Sequence, residues 1–299
     1  MAIELDNVYK IYKSFQVDVV ALHGVSAYID EGSFVMILGP SGSGKTTLLN
    51  LIGGLDKPTS GRVIVDGVEL SKLGENELIK FRREKIGFVF QFFNLIPYLT
   101  AYENVEFPLI VLNKPREERK KIVDSLLEMV GLKDRSHHKP HQLSGGEQQR
   151  VAIAMALAHD PKILIADEPT GELDTENTVK IGEILEEINI ERGTTIVVAT
   201  HDYLFASYGK RIIRLRDGKI VSDMLVPVAG AKALGVGGNK EVILTELIKR
   251  KNKILSELER LKKLFKMDKI DDEYFMENYS KLKKDLEKVE REIESHMIG

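Results

Sequence analysis

The beginning of the chain consists of short segments in which apolar residues stand together or alternate with polar ones, a pattern that predicts β-strands. These segments are Ile3–Val8, Val19–Leu22, Val25–Ile29, Phe34–Leu38 and Arg62–Val65. Three later runs are almost wholly apolar, as in parallel strands covered on both faces. They are Ile86–Phe90, Ile163–Ala166 and Thr195–Thr200. A helical period prevails between residues 92 and 158, so we predict an α/β sheet interrupted by a helical insert.

The pattern changes twice after the first domain, which we place at residues 1–227. Residues 228–240 are small and rich in glycine, which predicts a flexible linker. Residues 241–299 carry apolar positions at alternating spacings of three and four, typical of two helices packed along one seam. Asp271 and Asp272 separate the two runs and can cap the second helix, so we predict an antiparallel helical hairpin. The seam residues are Leu244, Leu247, Lys251, Ile254, Leu258, Leu261, Phe265, Phe275, Tyr279, Leu282, Leu286, Val289 and Ile293.

Composition narrows the functional classes. The 299 residues include 43 Lys and Arg against 46 Asp and Glu, so the net charge of −3 predicts no long-range attraction to nucleic acid or anionic lipid. The absence of cysteine excludes disulfides and thiolate metal sites. No apolar run approaches the length that crosses a bilayer. We therefore expect a soluble chain that reaches a membrane only through a partner.

The clearest chemical motif is Gly39-Pro-Ser-Gly-Ser-Gly-Lys-Thr46. It follows the apolar strand Phe34–Leu38 and opens a predicted helix over Thr46–Gly53, which is the context of a P-loop. The glycines let backbone N–H groups converge on phosphate oxygens, while Lys45 neutralises the β- and γ-oxygens and the Thr46 hydroxyl is a Mg²⁺ ligand. The motif therefore predicts a nucleoside triphosphate site.

Polar residues follow three of the predicted buried strands. Asp167 and Glu168 end one strand, Gln91 follows a second, and His201 follows a third. Because the carboxyl ends of parallel strands face the ligand crevice, we expect these side chains near the P-loop. Asp167 would hold the Mg²⁺ shell and Glu168 would polarise the attacking water. Gln91 would orient water or Mg²⁺, and His201 would donate to the γ-phosphate.

A second glycine pair raises a question about the number of phosphate sites. The segment Leu143-Ser-Gly-Gly-Glu-Gln-Gln-Arg150 precedes a predicted helix over Gln148–Ala158. A helix N-terminus favours a phosphate because its N–H groups and dipole attract an anion. One chain thus carries two candidate phosphate sites.

In this order, the motifs resemble those of the ATP-binding subunits of ABC transporters, and the resemblance covers about residues 1–225. The matching motifs are the Walker A segment at Gly39–Thr46, the Q-loop at Gln91, the signature at Leu143–Gln148, the Walker B end at Leu164–Glu168, the D-loop at Gly171–Asp174 and the switch histidine at His201. In that family the signature of one copy covers the ATP held by the P-loop of the other copy. The resemblance thus accounts for two half-sites in one chain.

The resemblance implies a fold, an activity and a set of site residues. It implies an α/β P-loop NTPase (RecA-like) core with an N-terminal antiparallel β-subdomain and a helical signature subdomain, to which this chain adds the C-terminal α-helical hairpin. It implies an ATPase that uses ATP and Mg²⁺, with Glu168, His201, Gln91 and Lys45 catalytic and Thr46, Gln91 and Asp167 at the metal. The nucleotide-binding residues would be Tyr12, Gly39, Ser41, Gly42, Ser43, Gly44, Lys45, Thr46, Thr47, Ser144, Gly145, Gly146 and Asp174. Tyr9 and Phe15 are alternatives to Tyr12 as the aromatic residue that stacks on adenine.

Finer features are similar to the lipoprotein-release and macrolide-export branch, notably residues 50–59 and 87–105. The implied partners are a second copy of the chain and a membrane permease that docks near Phe92–Leu99, which is too apolar for a solvated loop. The subunit would then lie at the cytoplasmic face of the membrane, with no nucleic acid bound. The alternative is a soluble ABC-type ATPase that acts on nucleic acid or ribosomes. Glu147 and Glu172 depart from the commoner residues of the signature and the D-loop.

Overall fold

The computed structural model describes residues 1–13, 18–226, 240–266 and 271–297, which form two compact units, Met1–Leu225 and Val226–Gly299. Most of the predicted linker, residues 228–239, lies outside the described residues, as does Phe15. Among the described residues, no helix is both long and apolar enough to cross a membrane.

The first unit contains ten strands and seven α-helices in its described part. The strands are β1 (Ile3–Tyr12), β2 (Val19–Ile29), β3 (Phe34–Leu38), β4 (Ser60–Val65), β5 (Val68–Glu69), β6 (Ile86–Val89), β7 (Ile163–Asp167), β8 (Thr195–Thr200), β9 (Arg211–Arg216) and β10 (Lys219–Leu225). The helices are α1 (Lys45–Ile52), α2 (Glu75–Lys85), α3 (Ala101–Val111), α4 (Arg116–Met129), α5 (Gly145–Leu157), α6 (Thr175–Arg192) and α7 (Tyr203–Ala206).

The central sheet has the order β10-β9-β3-β8-β7-β6. All pairs among β9, β3, β8, β7 and β6 are parallel, and only β10 runs antiparallel to its neighbour. Every residue of β3 and β8 is buried, as expected for strands covered on both faces. The carboxyl ends of β3, β6, β7 and β8 therefore meet at one edge of the sheet.

A second sheet is antiparallel and has the order β2-β1-β4-β5. The two predicted strands Val19–Leu22 and Val25–Ile29 form one strand, β2, whose pairing with β1 shifts register in several places. Both sheets contribute side chains to one apolar core, for example Leu5 and Val63 from the antiparallel sheet and Ile165 and Val197 from the central one. The antiparallel β-subdomain and the α/β core predicted from the sequence are thus both present.

Several element boundaries differ from the sequence expectations. The helix predicted to begin at Gln148 begins at Gly145, because Ser144 caps it and both glycines belong to its first turn. Strands β9 and β10 were not predicted. Their charged residues hide the strand pattern, and the structure shows why they are tolerated: Arg211 on β9 bonds Asp223 on β10 through Nε at 2.7 Å and Nη2 at 2.6 Å.

The second unit contains α8 (Lys240–Lys266) and α9 (Asp272–Met297), which pack antiparallel. Early residues of α8 meet late residues of α9, as in the ion pair of Lys251 with Glu290 at 2.6 Å, and the facing ends meet through stacked rings of Phe265 and Phe275 at 4.2 Å. The buried core of this seam is formed by Leu247, Ile254, Leu258 and Val289. Asp271 accepts a bond from the Tyr274 N–H at 2.8 Å and so caps α9, as its position in the sequence predicts.

Candidate active site

The P-loop joins β3 to α1 at the sheet edge described above. Gly44 adopts φ 100°, a conformation that disfavours residues with a Cβ, so glycine is required immediately before the helix. Lys45 is the first residue of α1 and is buried, with Nζ donating to the carbonyl oxygens of Gly39 at 2.8 Å and Pro40 at 3.2 Å. The Ser43 hydroxyl is also buried and has no hydrogen-bond partner in the described structure. The loop thus presents a lysine and an unsatisfied hydroxyl to a phosphate.

Glu168 lies between the P-loop lysine and the histidine. Its Oε1 is 3.3 Å from Lys45 Nζ, and its Oε2 accepts from the backbone N–H of His201 at 3.2 Å and lies 2.9 Å from His201 Nδ1. The backbone of Glu168 has a positive φ of 46°, which costs a non-glycine residue conformational energy. Its N–H donates to the Ala199 carbonyl on β8 at 2.9 Å, which holds this turn in place. The structure therefore brings together Lys45, Glu168 and His201, three of the four residues predicted for catalysis, from three different elements, whereas Gln91, the fourth, pairs with Glu172.

Asp167 and Thr46 provide oxygen atoms beside this carboxylate. Burial raises the pKa of the Asp167 carboxyl above its ordinary value, and the charge of Glu168 adds to this, while a hydrogen bond with Thr46 and the charge of Lys45 oppose it. Asp167 Oδ1 is buried and has no hydrogen-bond partner in the described structure. A buried acceptor beside a hydroxyl, all oxygen donors, suits Mg²⁺. The described residues contain no group of three or more His, Cys, Asp or Glu side chains that could hold a metal. An ion here would therefore also take oxygen atoms from hydroxyl or amide groups, water or a bound ligand.

Tyr12 is the last residue of β1 and contacts the segment that follows the P-loop. Its hydroxyl donates to Asp56 Oδ2 at 2.9 Å and hydrogen-bonds Thr47, which follows the P-loop in α1. Burial, the largest effect, raises the pKa of this phenol, and Asp56 raises it further. Tyr9 instead packs against Gly24 on β2. Of the two described aromatic candidates, Tyr12 is thus the one in contact with the segment after the P-loop, and its stacking on adenine stays a prediction.

Gln91 follows β6, and in the described structure its side-chain amide does not donate to Asp167 or Glu168. Its Nε2 donates to Oε1 of Glu172 in the D-loop at 3.2 Å. The base of the Q-loop is held by the fully buried Gln149, whose Nε2 donates to the Phe90 carbonyl at 3.3 Å. Phe93 and Asn94 both have positive φ, 58° and 53°, so the chain turns sharply just after Gln91.

The signature residues form the first turn of α5. Ser144 and Glu147 make a reciprocal capping box, with the Ser144 N–H donating to Glu147 Oε2 at 2.8 Å and the Glu147 N–H donating to Ser144 Oγ at 3.3 Å. Glu147, an unusual residue at this position, therefore acts as a helix cap. A Cβ at Gly146 would collide with the side chain of Asn177, so glycine is required there for close packing. Asp174 caps α6 by accepting from the Asn177 N–H at 2.8 Å, and its contact with nucleotide stays a prediction.

Sequence reasoning missed the residues that support the site from a distance. Asp56 holds Tyr12 and accepts from Lys10 Nζ at 2.6 Å, and Gln149 holds the Q-loop. Neither belongs to a phosphate motif, and the two side chains that Asp56 contacts, those of Lys10 and Tyr12, lie more than 40 residues away in the sequence. Of the two residues, Gln149 directly follows the signature at Leu143–Gln148, but no sequence pattern indicated its bond to the Phe90 carbonyl.

A P-loop, a strand-end acid pair and a histidine at one sheet edge define a P-loop ATPase, and comparison with known proteins identifies which kind. Residues 22–171 match the family model described as ABC transporter. MJ0796, an uncharacterised ABC transporter ATP-binding protein of Methanocaldococcus jannaschii, is 54% identical over 222 residues, which cover 73% of this chain and 94% of MJ0796. A structure described as a dimeric post-hydrolysis state of this cassette, bound to ADP and Pi, matches with a TM-score of 0.69 and covers 75% of this chain and 98% of that one.

Two further relatives carry names that refer to transport. The lipoprotein-releasing system ATP-binding protein LolD of Aquifex aeolicus is 47% identical, with 73% of this chain and 96% of LolD covered. The macrolide export ATP-binding/permease protein MacB of Hyphomonas neptunium is 48% identical, but the match spans only 34% of MacB. The chain therefore belongs to the ABC transporter family and is one of its ATP-binding cassette ATPases. The predicted fold class and function are confirmed, and the alternative of a nucleic-acid or ribosome factor receives no support.

Proposed function

We propose that two copies of this chain close around two molecules of MgATP and, by hydrolysing them, drive a separate membrane permease. The observation that carries the proposal is the convergence of Lys45 and His201 on Glu168, whose two carboxylate oxygens lie 3.3 Å from Lys45 Nζ and 2.9 Å from His201 Nδ1. These are the groups that phosphoryl transfer to water needs: a cation for the phosphates, a base for the water and a donor to the γ-phosphate.

The remaining predicted site residues take roles around this centre. Gly39, Ser41, Gly42, Ser43 and Gly44 would surround the phosphates with N–H and hydroxyl groups. Thr46, Asp167 and Gln91 would hold Mg²⁺, which when bound neutralises charge that develops on the phosphate oxygens. Tyr12 would lie on adenine.

In the proposed mechanism, Glu168 accepts a proton from the attacking water. The Oε2 atom that would take this proton is also the one that His201 contacts. Lys45 now divides its charge between Glu168 and two backbone carbonyls. Phosphate oxygens would draw Lys45 away from Glu168, which leaves the carboxylate free to orient water. In this way, nucleotide binding would free the Glu168 carboxylate from Lys45 so that it could accept a proton from water.

The second copy completes the site in this proposal. The MJ0796 structures are described as dimeric. In this chain Ser144 is exposed and Gly145 half-buried at the N-terminus of α5, where backbone N–H groups can face an anion from another molecule. We therefore assign Ser144, Gly145 and Gly146 to the ATP held by the partner copy, which accounts for the two phosphate motifs of one chain.

The permease would dock in an apolar groove between α2, α3 and the Q-loop. The groove has a volume of about 520 Å³ and is lined by residues that include Leu55, Ile79, Phe90, Ile96, Phe107 and Val111. Phe92 and Tyr98, 71% and 83% exposed, belong to the adjoining segment predicted to contact the permease. Arg82 and Arg83 also line the groove. This combination fits a short permease helix with an apolar face and an acidic residue. In this proposal the docked subunit lies at the cytoplasmic face of the membrane.

A matched pair of substitutions tests this docking. Ile79, 51% exposed, lines the groove, whereas Ile190, 66% exposed, lies on α6 outside the groove lining. Burial of one isoleucine stabilises a complex by about 1.5–3 kcal/mol, so Ile79→Ser should weaken permease binding by roughly tenfold or more. Ile190→Ser should bind normally. The measurement is the affinity of each variant, in detergent, for a membrane protein that copurifies with the full chain. Equal affinities for the two variants would rule out the groove.

The C-terminal hairpin is, in this proposal, a modulator that hydrolysis does not require. Every ATP motif lies within Met1–Leu225, one of the two compact units. A chain truncated after Val228 should therefore keep basal ATPase activity within about twofold of the full chain, while dimer stability or coupling to the permease changes. ATP binding by the truncated chain, measured by fluorescence titration, checks the boundary. Loss of binding would mean that α8 and α9 belong to the catalytic unit.

A further inference from the structure

Glu172 has no role in the function described so far, although its carboxylate contacts one of the predicted metal ligands. Glu172 Oε1 accepts a hydrogen bond from Gln91 Nε2 at 3.2 Å. A carboxylate accepts hydrogen bonds and cannot donate them. The contact therefore fixes the orientation of the Gln91 amide, with Nε2 towards the D-loop and the carbonyl oxygen, Oε1, turned away from it.

The Gln91 amide also packs against the backbone of the D-loop. A Cβ at Gly171 would lie 3.1 Å from Gln91 Nε2, so the amide rests on this residue with little space to spare. The D-loop is itself tied to the catalytic turn, because the Gly171 N–H donates to the Glu168 carbonyl at 3.0 Å. Glu172 is thus an acceptor mounted on a turn that is bonded to the catalytic glutamate.

The strand register places Gln91 at the same sheet edge as Asp167, the predicted metal-binding acid. Strand β6 pairs in parallel with β7, with Val89 opposite Ala166. Gln91 lies two residues beyond Val89, and Asp167 and Glu168 directly follow Ala166, so these side chains leave neighbouring strands at the same edge. The amide oxygen is the atom of Gln91 that could ligate Mg²⁺.

From this juxtaposition we propose that Glu172 is a positioning residue that orients the Gln91 amide so that its oxygen faces the magnesium of the bound nucleotide. The inference rests on the proposed function and adds a residue to it. Groups behind a metal ligand fix its orientation and raise its basicity, and their removal typically lowers metal affinity by about 10- to 100-fold. Because both side chains are solvent-accessible here, the lower end of that range is expected.

The test measures magnesium binding without hydrolysis. In a Glu168→Gln background, a fluorescent ATP analogue is bound to the full chain and Mg²⁺ is titrated. Glu172→Ala should raise the half-saturating Mg²⁺ concentration by roughly tenfold, while affinity for the analogue in EDTA stays unchanged. Glu172→Gln, which keeps an acceptor oxygen, should show a smaller rise. In a Gln91→Ala background, Glu172→Ala should add nothing.

Each other outcome overturns the inference. A lower Mg²⁺ requirement in Glu172→Ala would mean that the carboxylate holds Gln91 away from the metal. An equal rise in Glu172→Gln and Glu172→Ala, or a rise that persists without the Gln91 amide, would mean that the charge of Glu172 acts at a distance. No change in Glu172→Ala would leave the contact without a role at the metal. If the Glu168→Gln parent binds no analogue at all, the proposed function fails instead, so the two failures are distinguishable.

Discussion

Replacement of Glu168 by Gln should lower ATP turnover by about 10²- to 10⁴-fold, the usual contribution of general-base assistance. Gln has the same shape and can still accept a hydrogen bond from His201, but it cannot take a proton from water. Nucleotide binding should be retained, since the substitution removes the carboxylate that now pairs with Lys45 at 3.3 Å. Lys45 is then more available to phosphates. Steady-state release of phosphate and equilibrium binding of MgATP separate these two effects.

A second Glu→Gln substitution controls for the loss of charge alone. Glu187 is exposed on α6, and Glu187→Gln should hydrolyse ATP at the normal rate. If Glu168→Gln turned over ATP within threefold of the unsubstituted chain, the base would have to be another group. The assignment would also fail if the variant lost MgATP binding, because the carboxylate would then serve binding and not the attack of water.

The sequence predicted the centre of this site because each of its parts is coded locally. The P-loop is a contiguous motif, and Asp167, Gln91 and His201 each stand directly at the end of an apolar run. Parallel strands bring such ends to one edge whatever the details of packing. The positions of Lys45, Glu168 and His201 relative to one another thus follow from motif order and sheet topology alone.

The contacts that tune the site could not be predicted, because they join residues far apart in the sequence. Gln91 and Glu172 are 81 positions apart, and Tyr12 and Asp56 are 44 apart. Their pairing depends on loop conformations such as the successive left-handed residues Phe93 and Asn94, which no periodicity reveals. Strands β9 and β10 were not predicted for a related reason. The charged Arg211 of β9 is paired with Asp223 of β10, and the hydrophobic pattern of either strand alone does not reveal this pairing.

Ser144→Arg should abolish the ATP-dependent dimer while leaving ATP binding by the monomer nearly intact. In the proposed dimer the first turn of α5 docks on the ATP of the other copy, so a long cation at its cap would separate the two surfaces. The P-loop of the same chain does not include this turn. Light scattering in the Glu168→Gln background, where ATP persists, measures the dimer directly.

The interpretation of that variant depends on separating bulk at the interface from loss of a helix cap. Ser144 is half of a capping box with Glu147, and removal of a cap costs about 1 kcal/mol of stability. Thr100 forms the same kind of box with Glu103 at the start of α3, so Thr100→Arg loses an equivalent cap and gains the same side chain on a different helix. We expect Thr100→Arg to dimerise in ATP and Ser144→Arg to remain monomeric. A dimer in both would contradict the assignment of the second glycine pair to the partner's nucleotide, and a monomer in both would attribute the loss to a weakened helical subdomain.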